Sequence, residues 1–271
     1  MIKKYICLPY RTTHYKIITD CKRLIRDIGL LYGQYLHNES DRNFIEINIL
    51  KKDRNMYIFI YADKTLFTDN PLQLIKNILF ENPFFSSEVI AFHGAAIEHD
   101  GKAYVFLAPT TSGKTTLTSY LTNKGFNYIT DDCVIINKNN YNIIPSITPI
   151  HLREGGLQVL KSYRCEPDSI CYINNKTIKR YVYNPTNYIL CPTPIKNIFF
   201  LYRNKNENKI INIKTPETTT MLIKSLITTN QITFEHIKTV SKLSSINCKK
   251  VFYNDMDYIY NYICKESEHE Q

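Results

Sequence analysis

The sequence predicts an α/β fold with a mixed β-sheet, together with a small α+β module at its amino end. Three observations lead to this prediction. An apolar strand, a glycine-containing loop and a helix with one apolar face follow one another directly over 103–124. An Asp-Gly turn at 100–101 joins that strand to an earlier apolar run and predicts an antiparallel hairpin. Two strand-like runs over 44–50 and 56–61, and a helix that begins after Asn70-Pro71, set the first module apart.

Length and composition indicate a globular protein with room for a large core. The chain has 271 residues, of which 44% are hydrophobic, and we divide it into a module over 1–85 and a larger domain over 86–271. The module is a candidate for substrate recognition or for structural support. No apolar stretch reaches about 18 residues, so we expect no membrane span. The apolar part of residues 1–9 is too short for a signal peptide.

Cysteine spacing and charge exclude several classes of protein. The eight cysteines form no C-x-x-C pair, which argues against zinc and disulfides and favours reduced thiols in a cytoplasmic protein. The net charge of +9 favours an anionic partner. Lysines and arginines are spread along the chain and no nucleic-acid motif is present, so we expect no nucleic-acid binding.

The stretch 108–116 reads APTTSGKTT and carries the strongest functional signal. It fits the phosphate-binding pattern G-x-x-x-x-G-K-[ST] from Gly113 onward, but has Ala108 where the first glycine is usual. In this pattern backbone N–H groups surround the phosphates, a lysine reaches the β- and γ-phosphates, and a hydroxyl binds Mg²⁺. The flanking strand and helix make a chance match a poor explanation. The predicted nucleotide-binding residues are Thr110, Thr111, Ser112, Gly113, Lys114, Thr115 and Thr116.

Two further positions supply groups that phosphoryl transfer needs. A strand over 126–130 ends in Asp131-Asp132, where a carboxylate could bind Mg²⁺ or accept a proton, although aspartate also caps turns. His93 precedes Gly94 at the end of another strand. A lone histidine is commonly structural, but one close to an aspartate can orient it, and Gly94 indicates a close backbone approach.

The later part of the chain yields fewer signals. Pro145, Pro149 and the pair Gly155-Gly156 mark a loop-rich middle. Strands over 198–202 and 209–213 are predicted to form a hairpin around 204–208. Helices are predicted over 216–226 and 234–243, a short strand over 251–253, and a last helix that Asp255 caps.

These motifs in this order resemble the HPr kinase/phosphorylase family. The similarity covers 89–136: His93-Gly94, the hairpin, the loop with its GKTTL, and the strand that ends in Asp131-Asp132 before Val134. The chain resembles small HPr-kinase-like proteins more closely than the full-length enzymes. Some of these small proteins are found with peptide natural-product clusters, such as those of lasso peptides. The resemblance implies a P-loop core with a mixed sheet, like the nucleotide-binding core of phosphoenolpyruvate carboxykinase.

The resemblance also implies roles for individual residues. Lys114 would bind the β- and γ-phosphates of ATP, and Thr115 would bind Mg²⁺. Asp131 would be the general base, supported by His93, and Asp132 would contact the metal, with the reverse order of the two aspartates left open.

Two departures from the family pattern stand out. Thr111 replaces a second loop glycine, which costs energy if that position needs a positive φ. The full-length enzymes of the family carry an Arg-Gly-Leu-Gly segment. The nearest segment in this chain is Leu-Arg-Glu-Gly-Gly-Leu at 152–157. Arg153 would contact a phosphate there and Glu154 the metal, or both are solvated charges at a helix start. We therefore do not expect phosphorylase activity.

The sequence thus predicts an ATP-dependent kinase that phosphorylates a serine-type hydroxyl of a peptide or protein, for example a ribosomal natural-product precursor. Two alternatives stay open: a nucleotide-binding module without transfer, and a kinase for a small-molecule alcohol. Full-length relatives form hexamers, so the resemblance raises a homo-oligomer as a possible assembly, while the sequence itself gives no oligomeric state.

Overall fold

The computed structural model describes residues 1–7, 14–37, 44–53, 56–81, 88–167, 171–175, 178–204, 206–228 and 231–268. Contacts divide the chain into two compact units, Met1–Phe85 and Ser86–Gln271. The architecture is mixed α/β, with seven α-helices in the described part of the chain. None of the described helices is long and apolar enough to cross a membrane.

The first unit contains a mixed six-stranded sheet in the order β3-β1-β2-β4-β5-β6. Its elements are β1 (Ile2–Ile6), β2 (His14–Thr19), α1 (Lys22–Tyr32), β3 (Leu36–His37), β4 (Phe44–Lys51), β5 (Tyr57–Tyr61), β6 (Lys64–Thr68) and α2 (Pro71–Lys76). The predicted start of α2 is confirmed, because the Asn70 side chain accepts a hydrogen bond from the Gln73 N–H and Pro71 occupies the first helical position.

The second unit contains a sheet in the order β11-β10-β7-β8-β15-β17-β16, with β9 paired to β7, and a three-stranded sheet in the order β12-β14-β13. Its strands are β7 (Val89–His99), β8 (Lys102–Leu107), β9 (Asn127–Thr130), β10 (Cys133–Asn137), β11 (Asn142–Ile144), β12 (Ile150–Leu152), β13 (Cys171–Asn175), β14 (Ile178–Tyr183), β15 (Thr193–Arg203), β16 (Lys209–Asn212) and β17 (Asn247–Tyr253). Its helices are α3 (Lys114–Asn123), α4 (Glu154–Ser162), α5 (Thr215–Ser225), α6 (Phe234–Leu243) and α7 (Met256–Glu268).

The predicted hairpin before the 103–107 strand is confirmed. Strands β7 and β8 pair antiparallel from Gly94↔Leu107 to His99↔Lys102. Asp100 and Gly101 both have positive φ, 51° and 72°, as a two-residue turn of this kind requires. Because β8 pairs parallel with β15 on its other side, the sheet is mixed, as predicted.

The predicted hairpin around 204–208 is wrong. Strand β15 pairs in parallel with β17, and β16 pairs with the opposite edge of β17. A strand from 35 residues further along the chain therefore separates the two expected partners. Its apolar residues Cys248 and Val251 are buried, so burial of β17 within the sheet outweighs the local pairing.

The segment around Gly155-Gly156, interpreted either as loop-rich or as a helix start, begins helix α4. Leu157 and Leu160 are buried on one side of this helix, at the spacing of one helical face. Their packing offsets the low helix propensity of two glycines in the first turn.

The core of the second unit lies on both faces of its large sheet. On one face, Val105, Leu107 and Phe200 belong to an apolar cluster with Leu222 of α5 and Val240 of α6. On the other face α3 and α7 pack, and the Tyr120 hydroxyl of α3 donates to the Asp257 carboxylate of α7. Strand β8, which carries the 108–113 loop at its carboxyl end, is thereby held in the middle of three layers.

Replacing Gly94 with alanine should destabilise the protein by about 1–3 kcal/mol, the usual cost of overpacking. A β-carbon at Gly94 would lie 2.5 Å from Leu107 Cδ2 and 2.8 Å from the Phe106 carbonyl oxygen, and that oxygen cannot move without shifting β8. Urea denaturation of the full chain measures the effect. The matched control is Gly155→Ala, because no atom lies within 4 Å of a β-carbon built there. Equal stability of the two variants would contradict this account of Gly94.

Candidate active site

The loop 108–113 connects the carboxyl end of β8 to the first residue of α3, as the sequence predicts. Leu107 is buried, and the Gly113 carbonyl accepts the first intrahelical hydrogen bond, from Leu117 N at 2.9 Å. Gly113 has a φ of 89°, a conformation that glycine adopts without steric cost. The loop therefore leads into a helix whose first N–H groups have no partner within the helix itself.

Thr111 adopts the conformation that a glycine would favour. Its φ is 69°, in the left-handed region that costs a residue with a β-carbon about 1–2 kcal/mol. Its hydroxyl donates to the Thr110 carbonyl oxygen at 2.5 Å. The departure from the glycine-rich pattern thus coincides with backbone strain in the loop.

Exchange of Thr111 for glycine should leave the free energy of unfolding unchanged or raise it by up to about 1 kcal/mol. Relief of the left-handed strain offsets the entropy that glycine adds to the unfolded chain, about 0.5–1 kcal/mol. Thr110→Gly is the control: Thr110 is not among the residues with positive φ, so only the entropy cost applies. Urea denaturation measures the free energy of unfolding. An equal decrease of this free energy in both variants would refute strain at Thr111.

Lys114 lies across the loop that precedes it. Its Nζ donates to the carbonyl oxygens of Ala108, at 2.7 Å, and Pro109, at 3.1 Å. Burial lowers the pKa of this lysine, and the nearby carboxylates of Asp131 and Asp132 act in the opposite direction. A buried ammonium group is thus held at the loop by carbonyl groups that an anion could replace.

Asp131 is buried beside Thr115. Its carboxylate oxygen Oδ1 accepts a hydrogen bond from the Thr115 hydroxyl at 3.4 Å, and the side chain lies behind the first turn of α3. A carboxylate next to a hydroxyl is a set of hard oxygen donors, of the kind that Mg²⁺ prefers.

Asp132 differs from its neighbour in both exposure and surroundings. It is exposed and has a φ of 72°. Its carbonyl oxygen lies 3.1 Å from Nδ1 of His93 and accepts a hydrogen bond from Gly94 N at 3.3 Å. The structure therefore connects His93 to the main chain of Asp132, whereas the hydrogen bond found for the Asp131 carboxylate is to Thr115.

A cavity of about 370 Å³ opens in front of the loop and α3. Most of the predicted site residues line this cavity, including Arg153. The predicted residues absent from the lining are Ser112, Asp131 and Glu154. Four further lining residues were not predicted from the sequence. The complete lining in the described part of the chain is His93, Thr110, Thr111, Gly113, Lys114, Thr115, Thr116, Asp132, His151, Leu152, Arg153, Gly155 and Gly156.

The predicted residues outside this lining have other surroundings. The Ser112 hydroxyl donates to the Pro109 carbonyl oxygen at 2.7 Å. The Glu154 carboxylate accepts hydrogen bonds from the Tyr181 hydroxyl at 2.5 Å and from Gln158 Nε2 at 2.9 Å. Within the described ranges, no group of three or more His, Cys, Asp or Glu side chains is arranged to hold a metal ion.

The residues that sequence reasoning missed come from the segment around 150–156. His151 lies on β12 and pairs with Val182 of β14. A β-carbon at Gly156 would lie 2.8 Å from the Thr116 hydroxyl oxygen, so glycine allows α4 to approach the start of α3 closely. The Gly155-Gly156 pair is the signal in the sequence for this close approach.

A second cavity, of about 420 Å³, lies on the other side of the loop. It shares His93 and Thr110 with the first cavity. In the part of the chain that the structure describes, the rest of its lining is mostly apolar with one cation: Leu107, Ala108, Pro109, Phe200, Leu201, Tyr202, Met221, Lys224 and Ser225.

Comparisons with known proteins show a distant likeness of structure. No protein-family model and no curated protein matches the chain. One similar solved structure is the Hpr(Ser) kinase/phosphatase from Coxiella burnetii, at 11% sequence identity and a TM-score of 0.30, with 65% of this chain and 98% of that chain covered. This likeness is too distant to assign an activity.

Proposed function

We propose that the protein is an ATP-dependent kinase that transfers the γ-phosphoryl group to a serine-type hydroxyl of a peptide or protein. One observation carries the proposal: the ammonium group of Lys114, the Thr115–Asp131 pair and the exposed carboxylate of Asp132 surround one loop at the start of one helix. Phosphoryl transfer requires charge neutralisation, oxygen donors for a metal and a group that takes the proton of the acceptor.

The phosphates of ATP fit the first cavity. Backbone N–H groups of the loop and of the first turn of α3 would bind them, helped by the positive end of the helix dipole. The Lys114 ammonium would exchange the carbonyl oxygens of Ala108 and Pro109 for phosphate oxygens. Arg153 lines the same cavity and offers a second positive charge.

The donor set beside α3 suits Mg²⁺. Thr115 and Asp131 would hold the ion together with phosphate oxygens. When bound, Mg²⁺ would neutralise charge on the phosphates. Glu154 is a poorer candidate metal ligand, because its carboxylate already accepts hydrogen bonds from Tyr181 and Gln158.

We assign the base role to Asp132, the reverse of the order that the family resemblance favours. Its side chain is exposed at the cavity, while Asp131 is buried against Thr115. The acceptor oxygen would form the new P–O bond as the bond to the β-phosphate breaks, and its proton would pass to the Asp132 carboxylate. His93 would position Asp132 through its carbonyl group.

The second cavity suits the body of the acceptor. It meets the first cavity at His93 and Thr110, next to the proposed base, so a hydroxyl placed there would reach the γ-phosphate. Its apolar lining and the exposed Lys224 favour an apolar group and an acidic group close to the acceptor hydroxyl. A net charge of +9 agrees with an acidic peptide.

Mass spectrometry of peptides encoded beside the gene, after incubation with ATP and Mg²⁺, tests this function. The expected result is the addition of one phosphate to a serine or threonine. Phosphorylation of a small alcohol but of no peptide would favour the small-molecule kinase, and bound nucleotide without any phosphorylated acceptor would favour a binding module.

A further inference from the structure

The proposed site determines the direction in which a bound nucleotide would extend. His93, Asp131 and Asp132 all lie on the side of β8 formed by β7, β9 and β10. The γ-phosphate must lie close to them. A nucleoside on the opposite side of the loop would extend past Ser112 and Gly113, towards the carboxyl ends of β15 and β17. Open α/β sheets bind ligands outside such strand ends.

We propose that Arg203 forms a stacking platform for the nucleobase at this end of the sheet. This inference rests on the proposed nucleotide binding and adds the nucleoside contact to it. Arg203 is the last residue of β15 and is exposed, and neither cavity described above includes it.

Tyr253 connects the platform to the loop. It is fully buried at the end of β17, and its hydroxyl donates to the Ser112 carbonyl oxygen at 3.2 Å. Burial raises the pKa of Tyr253 to about 12, so the hydroxyl remains a donor at neutral pH. A β-carbon at Gly113 would lie 3.1 Å from this hydroxyl oxygen and 3.6 Å from Nε of Arg203. The guanidinium group is thus directly beside the loop.

The guanidinium plane is held in place from one side. Its central carbon lies 4.8 Å from the centre of the Tyr253 ring, and Nη1 donates to the Asn254 carbonyl oxygen at 2.8 Å. In the described part of the chain, these are the contacts that orient Arg203. The contact with the tyrosine ring occupies one side of the guanidinium group, and the exposure of the residue leaves another side for a ligand. Arginine planes stack on nucleobases as well as on aromatic rings.

The chemistry favours the base over a phosphate as the group that Arg203 contacts. Ser112 directs its carbonyl oxygen, and not its N–H group, towards Tyr253. The Ser112 N–H group instead donates to the Pro109 carbonyl oxygen, so on this side Ser112 offers a phosphate no N–H donor. A planar cation beside it offers a flat surface to the uncharged base.

Binding of ADP and of inorganic tripolyphosphate, each with Mg²⁺ and measured by calorimetry, tests the proposal. Arg203→Ala should weaken ADP binding about tenfold and leave tripolyphosphate binding within about twofold of the wild type. Arg203→Lys keeps the charge but lacks the plane, so it should resemble the alanine variant. Lys209→Gln is the matched control: it removes an exposed charge from strand β16, on the far side of β17, and should bind both ligands normally.

Each of the other outcomes would contradict the proposal that Arg203 stacks on the nucleobase. Unchanged ADP affinity in Arg203→Ala would exclude a contact with the nucleotide. Equal losses for ADP and tripolyphosphate would identify a phosphate contact instead, and wild-type affinity in Arg203→Lys would show that charge alone suffices. If the wild type binds neither ligand, the proposed function fails along with this inference, whereas normal wild-type binding confines a failure to Arg203.

Discussion

Replacing Lys114 with alanine should abolish phosphoryl transfer and weaken ADP binding about a hundredfold. The buried ammonium group already makes two hydrogen bonds across the loop, at 2.7 and 3.1 Å, and would make charge-assisted ones to phosphate oxygens. Two such bonds, at about 1.5 kcal/mol each, account for a factor of this size. Calorimetry with ADP measures the binding, and labelled ATP measures the transfer.

The matched control for this variant is Lys102→Ala. Lys102 is exposed at the opposite end of β8, next to the hairpin turn, so its replacement should change neither ADP affinity nor phosphoryl transfer. ADP affinity within about threefold of the wild type in Lys114→Ala would mean that the 108–113 loop does not bind the phosphates.

The second large effect is expected at the aspartate pair. Asp132→Asn should lower the rate of transfer by about 10²–10⁴, the usual contribution of a general base, with ADP affinity within about twofold of the wild type. Asp131→Asn should instead weaken the Mg²⁺-dependent part of ADP binding, because its carboxylate lies at Thr115. The two variants therefore separate the two roles by different measurements.

Asp100→Asn provides the control for both substitutions, since Asp100 is an exposed turn residue with positive φ, a conformation that asparagine tolerates. If Asp131→Asn loses transfer with metal and nucleotide binding intact, and Asp132→Asn keeps it, the order that the family resemblance favours is correct and ours is not.

Features encoded by neighbouring residues could be predicted from the sequence. The hairpin of β7 and β8 follows from Asp100-Gly101, and the boundaries of α3 follow from Gly113 and Gly125, which has a φ of 99°. In each case a short stretch contains both the turn residue and the apolar pattern. The prediction of strain at Thr111 has a different basis, the glycine that the resembling family has at this position.

Features that depend on distant segments could not be predicted. The place of β17 between β15 and β16 depends on pairing across about 50 residues, which no local pattern contains. Tyr253 and Arg203 reach the loop from separate strands, and nothing in their neighbours indicates it. The different surroundings of Asp131 and Asp132 depend on the tertiary position of Thr115. The sequence alone therefore left open which aspartate is the base and which contacts the metal.

The fate of the γ-phosphate of ATP tests the central claim most directly. The protein is incubated with Mg²⁺, γ-labelled ATP and pairs of peptides encoded beside the gene that differ only by serine or alanine at the acceptor position. We predict acid-stable label on the serine peptide, none on its alanine partner, and none with Lys114→Ala. Label that remains in ATP or appears only as inorganic phosphate, while the wild type binds ADP, would contradict the assignment as a hydroxyl kinase.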